Sequence, residues 1–274
     1  MIFYFSGTGN TRWLAKELAR ETNDELVPIG DATVNGKFEY SIGKSDRVGF
    51  CFPVHGWRPP FIVRNFIKQL ILKGYDDECH FCYAFATCGD DVGLTFEYLR
   101  DDLQSVGLRL DSVFSLIMPE TYNFPFIDQI DTPDKAEQKK MAARGRLAHL
   151  LPDVVNRRRG IKKINPSRWP RINSVLLGGF FLKYWVTDAK FTVDADACQR
   201  CGLCSRVCPV GNIDYHEGIP VWRHNGLCTT CFACYHHCPA HAIDFDRRTR
   251  GKRQYYFKDS TGSVGKGSSK ALDQ

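Results

Sequence analysis

No apolar run in the 274-residue sequence is long enough to cross a membrane: the longest, residues 175–186, has 12 residues and contains Lys183, against the ~20 that a spanning helix needs. A membrane-spanning helix is therefore not expected. The amino terminus, Met1-Ile2-Phe3-Tyr4-Phe5, has no basic stretch before it and no small-residue cleavage site after it, so no secretory signal is read and a cytoplasmic location is expected. Also missing are a nicotinamide-binding fingerprint, a paired acid and base, and any nucleic-acid-binding signature. Acidic residues are absent from one long stretch. Between Asp153 and Asp188 there are eight basic residues and no acidic one, more than the net charge of +6 of the whole chain. Interleaved with Pro166 and Trp169, this stretch reads as a solvated linker face or as a docking face for an acidic redox protein, and nucleic acid is not expected.

What is present describes a globular protein of about two domains, with 43% hydrophobic and 25% charged residues. Eight of its 12 cysteines fall into two quartets. Cys198, Cys201, Cys204 and Cys208, followed by Pro209, form C-x2-C-x2-C-x3-C-P; Cys228, Cys231, Cys234 and Cys238, followed by Pro239, repeat it 30 residues later. The offset extends to Ile213-Asp214-Tyr215 and Ile243-Asp244-Phe245, which marks an internal duplication. Four thiolates on short, tightly turning loops suit a cubane of iron and sulfide. Zinc and disulfides are the bland alternatives. A zinc ribbon uses two short pairs rather than two quartets, and disulfides need an oxidising compartment to which nothing in the chain gives a route.

The segment of residues 191–245 resembles the two-cluster bacterial ferredoxins. In that family the first three cysteines of a run hold one cluster and the Cys-Pro cysteine holds the other. The resemblance therefore implies one [4Fe-4S] cluster on Cys198, Cys201, Cys204 and Cys238, and a second on Cys228, Cys231, Cys234 and Cys208.

The amino half alternates strand and helix. Residues 2–5 form a short apolar strand leading into Ser6-Gly7-Thr8-Gly9-Asn10-Thr11, and Trp13, Leu14, Leu18 and Ala19 recur at helical spacing behind it. A loop of this kind holds a phosphate with backbone N–H groups, hydroxyls and the positive end of the helix. It contains no Walker lysine. The hexapeptide resembles the S/T-x-T-G-x-T phosphate loop of flavodoxins, which binds the phosphate of FMN; an ordinary capped glycine turn is the alternative. Further strands are expected at residues 25–29, 48–52, 81–86 and 112–117, giving a flavodoxin-like, doubly wound, parallel five-stranded α/β sheet. The resemblance then implies two ring-binding loops. One follows the third strand, with Pro53, His55, Gly56 and Trp57, Trp57 stacking on the flavin unless it plugs the core. The other is Thr87-Cys88-Gly89-Asp90-Asp91. Tyr122, in the loop after the fifth strand, either approaches the cofactor or packs on the surface.

Cys51, Cys79 and Cys82 are expected as buried reduced thiols. Residues 133–158 read as one long surface helix. Residues 175–185 are expected to pack between domains, interfacial membrane attachment being the lesser reading.

The expected domains are residues 1–159, flavodoxin-like and FMN-binding; 160–189, a basic and apolar linker; 190–246, a small α+β ferredoxin-like domain; and 247–274, a basic, partly disordered tail. Together they resemble flavodoxin/ferredoxin fusion proteins. The resemblance implies electron transfer between two [4Fe-4S] clusters and FMN, with a redox protein as partner. The alternative is a flavin-dependent reductase of a small molecule fed by its own ferredoxin domain. Flavodoxins are usually acidic whereas this chain is basic, which puts their usual partner surfaces in doubt.

Overall fold

The computed structural model describes residues 1–123 and 130–258. In chain order the first module comprises Ile2–Tyr4 (β1), Asn10–Thr22 (α1), Leu26–Pro28 (β2), Ile29–Val34 (α2), Glu39–Ser41 (β3), Arg47–Pro53 (β4), Phe61–Ile67 (α3), Ile71–Lys73 (β5), Phe81–Cys88 (β6), Thr95–Gln104 (α4), Ser112–Ile117 (β7), Pro133–Val155 (α5) and Lys162–Lys163 (β8). Six strands form one parallel sheet in the order β2-β1-β4-β6-β7-β8, and β3 pairs with β5 apart from it.

All eight residues of β6 are buried, as a central parallel strand covered on both faces requires. On one face Phe3, Phe50 and Phe52 pack with Phe66 of α3 and Phe96 of α4. On the other, Phe85 and Phe114 stack at 4.7 Å and pack with Leu14 of α1 and Leu147 of α5. The strand order reverses at β1, which lies between β2 and β4, so the loops leaving β1 and β4 part and open a crevice at their carboxyl ends.

Thr132 caps α5, its hydroxyl accepting from Lys135 N at 3.4 Å, and Pro133 occupies the first turn. Exposed Gly145 sits inside this helix with nothing within 4 Å of an added Cβ. Gly145→Ala is expected to stabilise the protein by about 0.5–1 kcal/mol in denaturant unfolding, because alanine loses less backbone entropy in a helix.

The sheet has a sixth strand where a linker was expected. Lys162 and Lys163 pair with Val113 and Phe114 at the edge, a position that suits a short, charged strand. Two lysines carry no strand pattern; tertiary bonds place them. Ser112 Oγ donates to Arg158 O at 2.6 Å and accepts from Ile161 N at 3.1 Å. Arg159 donates to the carbonyls of Asp77, Glu78 and His80 and pairs with Asp111 at 3.1 Å. Arg157 bonds Ser45 O, Arg158 and Lys163 pair with Asp153, and Lys162 pairs with Glu97. Five of the eight basic residues read as a docking face are thus engaged within the fold.

Cys51 and Cys82 are buried, and burial pushes both thiols up. Cys79, expected to be buried with them, is exposed. It lies in a turn before β6, where Asp76 Oδ1 accepts from Glu78 N and Cys79 N at 2.8 and 3.2 Å.

The second module continues through a π-helical turn at Ile172–Leu177, Gly178–Tyr184 (α6), Phe191–Val193 (β9), Leu203–Arg206 (α7), Ile213–His216 (β10), Ile219–Trp222 (β11), Ala233–His236 (α8) and Ile243–Phe245 (β12). Antiparallel pairs β9–β12 and β10–β11 enclose Phe191, Trp222, Phe232 and Phe245, with Phe191 and Trp222 stacked at 5.0 Å. The duplication is visible in the backbone. Positive φ recurs at the 30-residue offset, at Arg200 and Thr230, Gly202 and Phe232, and Gly211 and His241.

The carboxyl-terminal segment, expected as a tail, packs as far as it is described. Phe257 stacks on Trp13 at 5.5 Å and donates from its N–H to Thr8 O at 2.8 Å; Tyr255 OH donates to Asn10 Oδ1 at 3.0 Å. Its average composition is polar, but Tyr255 and Phe257 are anchors which that average conceals. Residues 259–274 lie outside the described residues.

Candidate cofactor sites

Four loops meet at the carboxyl edge of the sheet around a cavity of about 400 Å³. Thirteen of the fourteen cofactor residues read from the sequence line it: Ser6, Gly7, Thr8, Asn10, Thr11, Pro53, His55, Gly56, Trp57, Thr87, Cys88, Gly89 and Asp90. The fourteenth, Gly9, lies behind the loop as the cap of α1. Its φ of 98° and the Phe257 Cβ, 3.0 Å from an added Cβ, leave room only for glycine. Gly9 N donates to Ser6 Oγ at 3.2 Å, and Thr11 Oγ1 bonds Thr87 Oγ1 at 2.7 Å, joining the first turn of α1 to the end of β6. Asn10 is spent on structure, its Nδ2 donating to Pro119 O at 3.0 Å.

After β4, His55 and Arg58 exchange backbone hydrogen bonds at 2.9 and 3.3 Å around Gly56 and Trp57, whose φ values are 57° and 58°. Positive φ at both central residues makes this a type I′ turn, unusual for tryptophan. The neighbours hold it. Ser174 Oγ donates to Trp57 O at 3.0 Å, and Gly178 sits where any side chain would overlap Gly56 O. Burial pushes His55 down to about 4, so its imidazole is neutral at ordinary pH and supplies no imidazolium proton.

Glu120 carries no signal in the sequence, because a lone carboxylate after a strand has no pattern. It lines the cavity, and its Oε2 occupies the space that a Cβ on Gly89 would need. Its Oε1 accepts from Thr121 N and Tyr122 N at 3.2 and 3.3 Å. Burial nevertheless raises its pKa above the usual carboxyl range, against the lowering by the Tyr122 N–H and Lys139. Tyr122 also lines the cavity, in edge contact with Phe181 at 5.2 Å.

Each quartet of thiols is drawn from both runs. Cys198, Cys201, Cys204 and Cys238 surround one small cavity, with Pro220 and Ile243. Cys234, raised by burial, also feels Cys231, Cys228 and Cys208. Burial pushes Cys231 up to about 11 and Cys228 to about 12. Thiolates here are costly unless a cation compensates them, which is the chemistry of an iron-binding set. Among the described residues no three His, Cys, Asp or Glu converge closely enough for a single metal ion, and a cubane spreads its ligands more widely. Backbone N–H groups reach the sulfurs at equivalent places, Asn212 N to Cys208 Sγ and Ala242 N to Cys238 Sγ, both at 3.3 Å.

Cys231 belongs to one thiol set and also lines the four-loop cavity, together with Thr230. A Cβ on Gly7 would lie 2.7 Å from Cys231 Cβ. His236 fixes the docking: its Nε2 donates to Thr121 O at 2.8 Å and its Nδ1 accepts from Tyr255 N at 3.1 Å. That neutral tautomer agrees with a pKa lowered by burial to about 4.

No curated protein matches the chain. Among solved structures it is similar to an azoreductase from Bacillus anthracis str. Sterne, at 13% identity over 55% of this chain and 97% of that one, with a TM-score of 0.32. It is also similar to the Trp repressor binding protein from Bacillus subtilis, at 15% identity over 52% of this chain and 95% of that one, TM-score 0.32. The azoreductase AzrA matches at 13% identity over 55% and 98%, TM-score 0.30. Residues 1–121 match the family model of the flavodoxin domain and residues 197–243 that of the 4Fe-4S dicluster domain. The chain is a flavodoxin/ferredoxin fusion, an electron-transfer iron–sulfur flavoprotein.

Proposed function

We propose that the protein passes electrons between two [4Fe-4S] clusters and one FMN within a single chain. The observation that carries this reading is Cys231, a member of one thiol quartet and a wall of the flavin cavity. When bound, a flavin takes up one or two electrons and an iron–sulfur cluster one. In this reading Ser6, Gly7, Thr8 and Thr11 hold the phosphate, while the turn at His55–Trp57 and the loop from Thr87 to Asp90 hold the ring. Cys228, Cys231, Cys234 and Cys208 ligate the near cluster, and Cys198, Cys201, Cys204 and Cys238 the far one. Cys201 is exposed, so the far set is the outlet to a redox protein partner. The cavity is at the small end of the roughly 300–1,000 Å³ typical of ligand pockets, suited to one cofactor rather than a cofactor and an organic substrate. Anaerobic analysis is expected to find about eight irons and one non-covalent FMN per chain. Stoichiometric zinc in place of iron, or FAD in place of FMN, would remove the reading.

Glu120 favours a second reading, a reductase of a small molecule, because it sets an acid of raised pKa in the cavity wall. Turnover of a defined small molecule by the purified protein alone, with saturable kinetics that fail in Trp57→Ala, decides for the reductase. Dependence on a second redox protein decides for the carrier.

The acid itself is testable in flavin-free protein. A carboxyl whose folded pKa lies above its unfolded value destabilises the fold above that window and not below it. Glu120→Gln is therefore expected to raise the melting temperature at neutral pH, the gain fading as pH falls into the usual carboxyl range. A gain independent of pH would show that Glu120 is not buried as a charge.

A further inference from the structure

Seven of the thirteen large apolar side chains exposed among the described residues come from the 16-residue segment Trp169 to Tyr184, each 48–65% exposed. Packing between domains, expected of residues 175–185, is met by one face only. Ser174, Gly178 and Phe181 are buried: Ser174 bonds Trp57 O and accepts from Leu94 N at 2.8 Å, Gly178 closes on Gly56, and Phe181 lines the flavin cavity. Arg58 Nε donates to Ser174 O at 2.7 Å. The inner face is anchored, and the outer one, with Trp169, Ile172, Leu176 and Phe180, is left exposed among the described residues.

Charge indicates what covers it. Arg168, Arg171 and Lys183 are exposed, and none forms an ion pair among the described residues. Arg168 lies over the Trp169 ring at 5.6 Å and Lys183 over the Tyr184 ring at 5.2 Å, which places cations on amphipathic aromatics at the two ends of an apolar stripe. No acidic residue occurs between Asp153 and Asp188. A second copy on this face would bring its own cations against these with no carboxylate from either segment to offset them. An anionic lipid surface offers acyl chains to the stripe and negative headgroups to the cations. Among the described residues no helix is long and apolar enough to cross a membrane, so the segment would lie in the interface.

We propose that the Trp169–Tyr184 segment is a monotopic docking surface for an anionic phospholipid bilayer. Its inner face walls the flavin cavity, so docking seats that cavity at the membrane surface.

The test is flotation of the full-length, cofactor-loaded protein with phosphatidylglycerol/phosphatidylcholine vesicles and with phosphatidylcholine vesicles alone. The protein is expected to float with the anionic vesicles. Leu176→Glu/Phe180→Glu is expected to cut the bound fraction at least about tenfold, by removing apolar insertion and adding negative charge, with melting temperature and flavin content unchanged because both residues point outward. Arg168→Gln/Arg171→Gln is expected to lose the preference for anionic vesicles. The proposal is overturned if the wild type does not float, or if the double glutamate variant floats as well as the wild type. It is overturned equally if the wild type is a dimer that the glutamate variant converts to monomer without any vesicle binding, which would assign the stripe to a second copy.

Discussion

Cys208→Ser is expected to destroy the cluster of the other cysteine run, the one held by Cys228, Cys231 and Cys234, and to leave its own run's cluster as the better assembled. Burial raises Cys228, Cys231 and Cys234, and each also feels the charge of Cys208, while Cys204 feels Cys238 from the opposite run. Removing one thiolate leaves three buried thiols without their fourth partner. Iron should fall from about eight to about four per chain, the loss of one cubane. The consequence is larger than half the metal. Because the emptied set contains Cys231, which lines the flavin cavity, electrons supplied at the exposed Cys201 end should no longer reach FMN. Cys238→Ser should damage the far set and leave the near one beside the flavin. Iron and sulfide analysis with electron paramagnetic resonance of both variants checks this; loss of the local run's cluster in each would show that the runs do not cross.

Gly30→Ala should separate the modules. Gly30 has an ordinary backbone conformation, so its constraint is space alone: a Cβ there would overlap the Pro209 carbonyl. Backbone cannot swing aside as a side-chain tip does, so α2 and the Cys208-Pro209 loop must part. Overpacking of this kind costs about 1–3 kcal/mol. Since Pro209 follows a ligand of the near set, the variant should also bind iron less firmly than the wild type. Chemical unfolding beside Gly145→Ala gives shifts of opposite sign from the same substitution, which separates steric overlap from helix propensity. An unfolding midpoint and iron content equal to the wild type would show that the modules do not rest on one another here.

Loops written in contiguous residues are legible in the sequence. The phosphate loop, the turn at His55–Trp57 and the loop from Thr87 to Asp90 reach one cavity because each directly follows a buried strand, and parallel strands bring their carboxyl ends to one edge. A residue's place is not legible where it depends on partners far along the chain. Lys162 and Lys163 became a strand through the bonds around Ser112 and Arg159, and Glu120 became a cavity acid only by meeting Gly89.

The two cysteine runs, their 30-residue repeat and the lysine-free loop after β1 are legible in the sequence because each is written in short spacings, whereas each thiol set takes a cysteine from the other run to complete it. How the modules face each other follows from contacts across the fold. Cys231 against Gly7, Pro209 against Gly30, His236 against Thr121, and Phe257 across Trp13 each join residues more than one hundred positions apart. The tertiary structure also decides which face of Trp169–Tyr184 is left bare, because the burial of Ser174, Gly178 and Phe181 depends on the turn at Trp57 and the cavity beneath it, and no local pattern records either.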